Sequence, residues 1–379
     1  MRIDLFRMER MQSLHWHRVR YDLSESGVLP LGLDELLEIS GGGETILKAK
    51  LGYPLSEGSA ELRERIAAWY PGATAANVTV TNGGSEANHL ALWTLLERGS
   101  RLAFMLPNYL QGLGLGRHYA GHTDTFRLRL VREGGGRRWA LDLASLERAV
   151  ERRPSVIMVC NPDNPTGSVL TEAEMDAVVR AARPSRAWIV ADEIYRGAER
   201  EATAATPSFW GRYPRVVVTS GLSKAFGLPG LRIGWLVAPP RLIAEVWKRH
   251  DYTTLTPGML SDRLAALVME PATRERILQR TRAIVRRQWP RLEEWLAEQG
   301  DLFEYAPPQA GAIAFAKLRL PMAGTRLVDR IRERQSVLLV PGEQFGIGRG
   351  LRFGFGYDIA RTLEGLALVS RELAALGRR

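Results

Sequence analysis

The sequence predicts an α/β fold: a large domain with a mostly parallel, doubly wound sheet, plus a smaller α+β domain built from the N-terminal arm and the C-terminal part. Three features carry that expectation. Runs rich in β-branched and apolar residues recur between positions 77 and 219 with helical patterns between most of them, a long amphipathic segment follows at 273–299, and beyond residue 300 short strands and helices alternate in mixed order. The corresponding division is an arm at 1–45, a large domain at 46–270 and a small domain at 271–379.

In chain order, strand-like runs lie at 77–81, 101–106, 155–160, 187–191 and 215–219. Segments 86–98 and 171–182 carry apolar residues at helical spacing, and Thr171, Glu172 and Glu174 form an N-cap signature for the second. Such alternation builds parallel strands, because a crossover helix is needed to bring the chain back in the same direction. In 273–299, Ile277, Ile284, Val285, Leu292, Trp295 and Leu296 fall on one helical face with arginines opposite, and Pro290 marks an expected kink. A strand at 311–318, a helix at 324–335, strands near 337–340 and at 351–354, and a closing helix from Ala360 complete the chain. The glycine-dense stretches 41–43 and 134–136 read as loops, and no internal repeat is present.

Composition narrows the function classes. With 379 residues and 45% hydrophobic content, the chain can bury a full core. Its single cysteine, Cys160, closes no intramolecular disulfide and builds no cysteine-rich metal site, so the expected compartment is the reducing cytoplasm. No apolar stretch reaches the roughly 20 residues of a membrane helix, and residues 1–20 lack the pattern of a signal peptide. The net charge of +10 is dispersed, without a basic block, which argues against a nucleic-acid partner.

Ligands of a parallel sheet bind beyond the carboxyl ends of its strands, and the residues there are chemically unusual. The five strand ends lead into Thr81-Asn82-Gly83-Gly84-Ser85-Glu86, Pro107-Asn108-Tyr109, Asn161-Pro162-Asp163-Asn164-Pro165-Thr166-Gly167, Asp192-Glu193-Ile194-Tyr195 and Ser220-Gly221-Leu222-Ser223-Lys224. Gly83-Gly84-Ser85 before a helix offers free N–H groups and a hydroxyl to a phosphate, although a plain turn and N-cap reads the same way. Lys224 sits in a Gly/Ser-rich segment where desolvation makes an amine nucleophilic toward an aldehyde. Asp192 follows an apolar run, so its carboxylate wants a cationic partner, or else it caps a loop.

Together these segments resemble class I/II aminotransferases of the fold-type I pyridoxal-phosphate superfamily over nearly the whole chain. Asn164-Pro165-Thr166-Gly167, Asp192-Glu193-Ile194-Tyr195, the stretch from Ser223-Lys224 through Gly230-Leu231-Arg232, and Pro341-Gly342-Glu343-Gln344-Phe345-Gly346 come in family order and near-family spacing. The resemblance implies that Lys224 forms a Schiff base with pyridoxal 5'-phosphate and moves a proton at the substrate Cα. It also implies that Asp192 faces the pyridine nitrogen, and that Tyr195 and Asn164 bond the phenolic oxygen. By the same likeness Tyr109 stacks on the ring, and Gly83, Gly84, Ser85, Ser223 and Arg232 hold the phosphate. Arg352 in Leu351-Arg352-Phe353-Gly354-Phe355 matches the arginine that grips the substrate α-carboxylate. Tyr53 matches a tyrosine that reaches the phosphate of the partner subunit, which implies a homodimer with shared active sites. Ser24-Glu25-Ser26-Gly27-Val28 matches a mobile piece that folds over the substrate, with Gly27 beside its carboxylate.

One departure stands out: many relatives have a phosphate-binding serine where this chain has Gly221, and Ser220 or Ser223 would have to replace it. The expected activity is amino transfer between an L-amino acid and a 2-oxo acid by a ping-pong route. A carbon–sulfur lyase or an amino-acid cyclase is the alternative, because one cofactor scaffold runs all three chemistries. A transcription regulator is disfavoured, since the arm has no room for a helix-turn-helix. His118 and His122 lie four apart but lack acidic or cysteine partners at ligand spacing, so no metal site is expected. Tyr252, Thr253 and Thr254 are candidates for the wall of the substrate pocket.

Overall fold

The computed structural model describes residues 3–377. Its centre is an eight-stranded sheet in the order Val78–Thr81, Gly234–Val237, Val216–Gly221, Trp188–Asp192, Val156–Cys160, Arg101–Leu106, His122–Glu133, Gly136–Leu141. Gly234–Val237 and Gly136–Leu141 run antiparallel to their neighbours and the other six strands share one direction. The central strands are continuous apolar runs buried along their length, as expected when helices cover both faces. Two apolar clusters line the two faces, one around Ile157, Val159, Ile189 and Trp235, the other around Leu90, Phe104, Val190 and Leu236.

Helix Glu172–Ala182 starts with the capping box read from its sequence: the Thr171 hydroxyl accepts from the Glu174 N–H, and Glu174 accepts from the Thr171 N–H. Three strands of this sheet differ from the sequence expectation. His122–Glu133 and Gly136–Leu141 form a hairpin turning at Gly134 and Gly135, both at positive φ, and Gly234–Val237 is inserted beside the strand that precedes Lys224.

The long helix spans Pro271–Glu298 with Pro290 inside it. Its Ile277 and Leu278 join the core of the large sheet, whereas Ile284, Val285, Trp289, Leu292, Trp295 and Leu296 join a separate core. That second core belongs to a four-stranded antiparallel sheet of Phe303–Tyr305, Ile313–Leu318, Leu351–Gly354 and Val340–Pro341. The N-terminal segment is fixed to it, since Tyr21–Asp22 pairs parallel with Val337–Leu338 and Leu23 and Val28 are buried in the same cluster. Residues 24–27 are thereby carried over the carboxyl ends of the large sheet. Among the described residues no helix is long and apolar enough to cross a membrane.

Candidate active site

The strand ends converge as the topology requires. Asp192 is the last residue of its strand, one position further into the sheet than the sequence suggested. Its carboxylate accepts from Asn88 Nδ2 at 2.8 Å and from the Ile194 N–H at 3.1 Å. Asn88 is held in turn by Thr219, whose hydroxyl donates to Asn88 Oδ1 at 2.6 Å. Part of Asp192's surface opens on the cleft, yet protein encloses the carboxyl deeply enough for burial to push its pKa up against both hydrogen bonds. Asn88 was not singled out in the sequence. The signal was there: a polar residue on the buried face of helix Gly84–Leu95, between Ala87 and Leu90.

Helix Gly84–Leu95 begins at the glycine pair, with Gly83 at φ +90°. A Cβ on Gly83 would collide with the Arg232 guanidinium, and one on Gly84 would lie 3.3 Å from Ile194 Cδ1 and 3.6 Å from the Ser220 carbonyl oxygen. Backbone N–H groups, the helix start, exposed Ser85 and Arg232 therefore share one small space, an arrangement suited to a phosphate. Ser220 is committed elsewhere, its buried hydroxyl donating to the Glu193 carbonyl at 3.2 Å, while Ser223 is half-buried beside Lys224. Tyr109 is anchored by donating to Glu9 Oε1 at 2.8 Å, and Phe6 packs on its ring at 4.9 Å between centroids.

Arg352 is buried on its strand. Its Nη1 donates to Asn164 Oδ1 at 3.0 Å and its Nη2 to the Ser24 carbonyl, while Nε has no partner. The Tyr195 hydroxyl is also buried without a hydrogen bond, with Ser26 approaching but not completing one, and burial raises its pKa. Lys224 Nζ lies 3.0 Å from Glu25 Oε1. A Cβ on Gly27 would meet the Ser223 carbonyl oxygen at 3.4 Å and Lys224 Cδ at 3.9 Å, so the segment 24–27 lies directly on the lysine. Glu25, which is named in the sequence only as part of that segment, is thus a direct neighbour of Lys224.

Other candidates fall outside this cleft. Tyr53 is 92% exposed. Thr253 and Thr254 bond Glu86 at the start of helix Gly84–Leu95, and Thr254 also accepts from Asn82 Nδ2 at 2.8 Å, while Tyr252 points outward. His118 lies in helix Gln111–Tyr119 and His122 opens a strand, so the apparent helical pair is split between two elements. No group of three His, Cys, Asp or Glu among the described residues could hold a metal ion.

A family model described as aminotransferase class I and II matches residues 45–366. The chain belongs to this family. As a class I and II aminotransferase family member it is an enzyme, and its cofactor is pyridoxal 5'-phosphate. It is 31% identical over 375 residues, 96% of this chain and 94% of the relative, to a capreomycidine synthase of Streptomyces vinaceus. In structure it is similar to a PLP-dependent aminotransferase from Streptococcus suis, with a TM-score of 0.89, 28% identity and 99% of each chain covered. It is likewise similar to the PLP-dependent cyclase OrfR, with a TM-score of 0.88, 30% identity and coverage of 99% of this chain and 98% of that one. The residues fit the family's cofactor: an enclosed carboxylate, an unpartnered buried phenol, and a glycine-lined helix start beside an arginine surround the lysine's end of the sheet.

Proposed function

We propose that the protein moves an amino group between an L-amino acid and a 2-oxo acid, the two substrates using one cleft in turn. The observation that carries this reading is that two adjacent residues touch both key cations: the Ser24 carbonyl bonds Arg352 and Glu25 pairs with Lys224. A carboxylate held at Arg352 then has its neighbouring carbon next to the amine. Pyridoxal 5'-phosphate supplies an aldehyde for amines and a ring that takes up the electron pair left when a proton leaves Cα.

The chain's residues divide the remaining work. Gly83, Gly84, Ser85, Ser223 and Arg232 hold the phosphate, and Tyr109 lies against the ring. Asp192, oriented by Asn88, faces the ring nitrogen, where a carboxylate stabilises a proton. Tyr195 and Asn164 reach the phenolic oxygen; Asn164 Oδ1 already accepts from Arg352, which leaves its Nδ2 as the donor. Arg352, with Asn164 and Gly27, receives the α-carboxylate, and Lys224 moves the proton at Cα.

A second copy completes the site. Leu47, Leu51, Tyr53 and Leu55 are exposed along one stretch, as are Tyr252 and Leu255, an apolar surface that a second copy would cover. Tyr53 would then reach the phosphate of the other copy. The domain boundary falls in the long helix that starts at Pro271, since its Ile277 and Leu278 pack in the large-sheet core and its residues from Ile284 on pack in the second core.

Elimination or cyclisation is the second reading, favoured by the carboxylate of Glu25 beside Lys224 and by the names of two full-length relatives. Incubating the holoenzyme with single amino acids separates the two. Accumulation of the pyridoxamine form with a 2-oxo acid supports amino transfer. Ammonia with pyruvate, or a cyclised amino acid, without any 2-oxo acid acceptor would overturn it in favour of the second reading.

A further inference from the structure

Glu25 is an acidic side chain in the cleft to which the assignments above give no task. Its Oε1 meets Lys224 Nζ at 3.0 Å and accepts from the N–H groups of Ser26 at 2.9 Å and Gly27 at 3.0 Å, and none of these contacts uses Oε2. The side chain is 20% exposed, so it is mostly removed from water but still faces the cleft. Burial works against the charge, yet Lys224 and the Ser26 N–H, together with Arg352 further off, outweigh it and hold the carboxyl ionised, its pKa down at about 2.

That pairing cannot persist through turnover. An amine that condenses with an aldehyde or removes a proton must be neutral, so the reaction consumes the ammonium that balances Glu25. A part-buried carboxylate that loses its cation must either take up a proton or gain another cation. Arg352 is already engaged by the Ser24 carbonyl and Asn164. Arg352 acts on Glu25 only from further off and is reserved for the ligand's carboxylate in the reading above, so the cation that can enter the vacated place is one the ligand brings.

Resting on the reading of Lys224 and Arg352 given above, we propose that Glu25 receives a protonated nitrogen of the substrate in the place the Lys224 ammonium occupies here. The nitrogen comes either from the α-ammonium of any arriving amino acid or from a basic side chain. In the second case Glu25 also sets specificity, favouring basic and disfavouring acidic amino acids.

The test compares wild-type and Glu25→Gln holoenzymes, because Gln keeps an oxygen for the Ser26 and Gly27 N–H groups and removes only the charge. L-Ornithine, L-alanine and propionate are titrated at equilibrium and followed by cofactor absorbance. Loss of about tenfold or more in ornithine affinity is expected, with propionate unchanged. An equal loss for alanine assigns the α-ammonium, and an unchanged alanine affinity assigns the side chain. Amino-acid affinities within about twofold of wild type would overturn the proposal, as would a propionate loss matching theirs, since Glu25 would then only order the segment over Arg352. A wild-type holoenzyme whose spectrum answers to none of these ligands would instead overturn the assignment of the site on which the proposal rests.

Discussion

Gly221 occupies the position where many relatives place a phosphate-binding serine, and its surroundings make Gly221→Ser an informative change. A Cβ there would lie 2.7 Å from the Ile233 carbonyl oxygen, 3.1 Å from Gly234 Cα and 3.2 Å from Ile194 Cδ1. The first two are backbone atoms along the paired strand, so no side-chain rotation relieves them and the strand pair has to open by a few tenths of an ångström. Leu222 N–H donates to the same Ile233 carbonyl at 2.9 Å, and stretching that bond forfeits about 1 kcal/mol. With overpacking itself at about 1–3 kcal/mol, the sum is about 2–4 kcal/mol. For a protein of this size the melting temperature should fall by roughly 3–5 °C. The assay is thermal unfolding of the apoproteins, because bound cofactor raises the midpoint by mass action, together with cofactor affinity by fluorescence titration. A variant that melts within a degree of wild type and binds the cofactor more tightly would refute the reasoning, showing that the strand pair yields easily and that position 221 is an open phosphate contact.

Three further outcomes follow from the same geometry. Asn88→Ala leaves Asp192 without its side-chain donor and Thr219 without an acceptor, so cofactor affinity should drop about tenfold or more; unchanged affinity in a fluorescence titration would remove Asn88 from the positioning of Asp192. Arg352→Gln should weaken binding of amino acids by about a hundredfold while the cofactor band persists, and equilibrium titration showing wild-type affinity would exclude Arg352 as the carboxylate site. Burial pushes the Asp163 carboxyl from its ordinary 3.8 up to about 7. Between those values the unfolded chain releases the proton and the folded one keeps it, so stability falls as pH rises through that window. Asp163→Asn should flatten the decline in urea midpoints measured from pH 4 to 7, and parallel profiles would show that Asp163 contributes nothing to it.

The parts of the fold legible in the sequence are those set by local periodicity. The buried central strands are short apolar runs, and Thr171 with Glu174 marks a helix start that the structure reproduces as a capping box. The hairpin at 122–141 was not legible because its first strand interleaves exposed arginines with only two buried residues, Phe126 and Leu128, which leaves a weak period-2 signal. Gly234–Val237 carries too little pattern to be read as a strand, being four residues after a turn, although Gly234 has a plain reason to be glycine: a Cβ would run into the Gly83–Gly84 backbone.

In the cleft the same division holds. Motifs at strand ends are readable because topology collects strand ends, which is how Asp192, Tyr195, Asn164 and Lys224 come to one side of the sheet. Contacts made across long separations are not. Glu25 and Lys224 are 199 residues apart, and Asn88 and Asp192 are 104 apart. Nothing local in Ser24-Glu25-Ser26-Gly27 says that its acid meets the lysine; that follows only once Tyr21–Asp22 has paired with Val337–Leu338 and laid the segment over the sheet.

The most direct measurement is borohydride reduction of the holoprotein followed by proteolysis and mass mapping. The chain has five lysines, Lys48, Lys50, Lys224, Lys248 and Lys317, so the label has few places to go. Bleaching of the visible band with the reduced pyridoxyl group on Lys224 alone is the expected result. Label on any of the other four, or a cofactor that dialyses away unreduced, would contradict the central assignment.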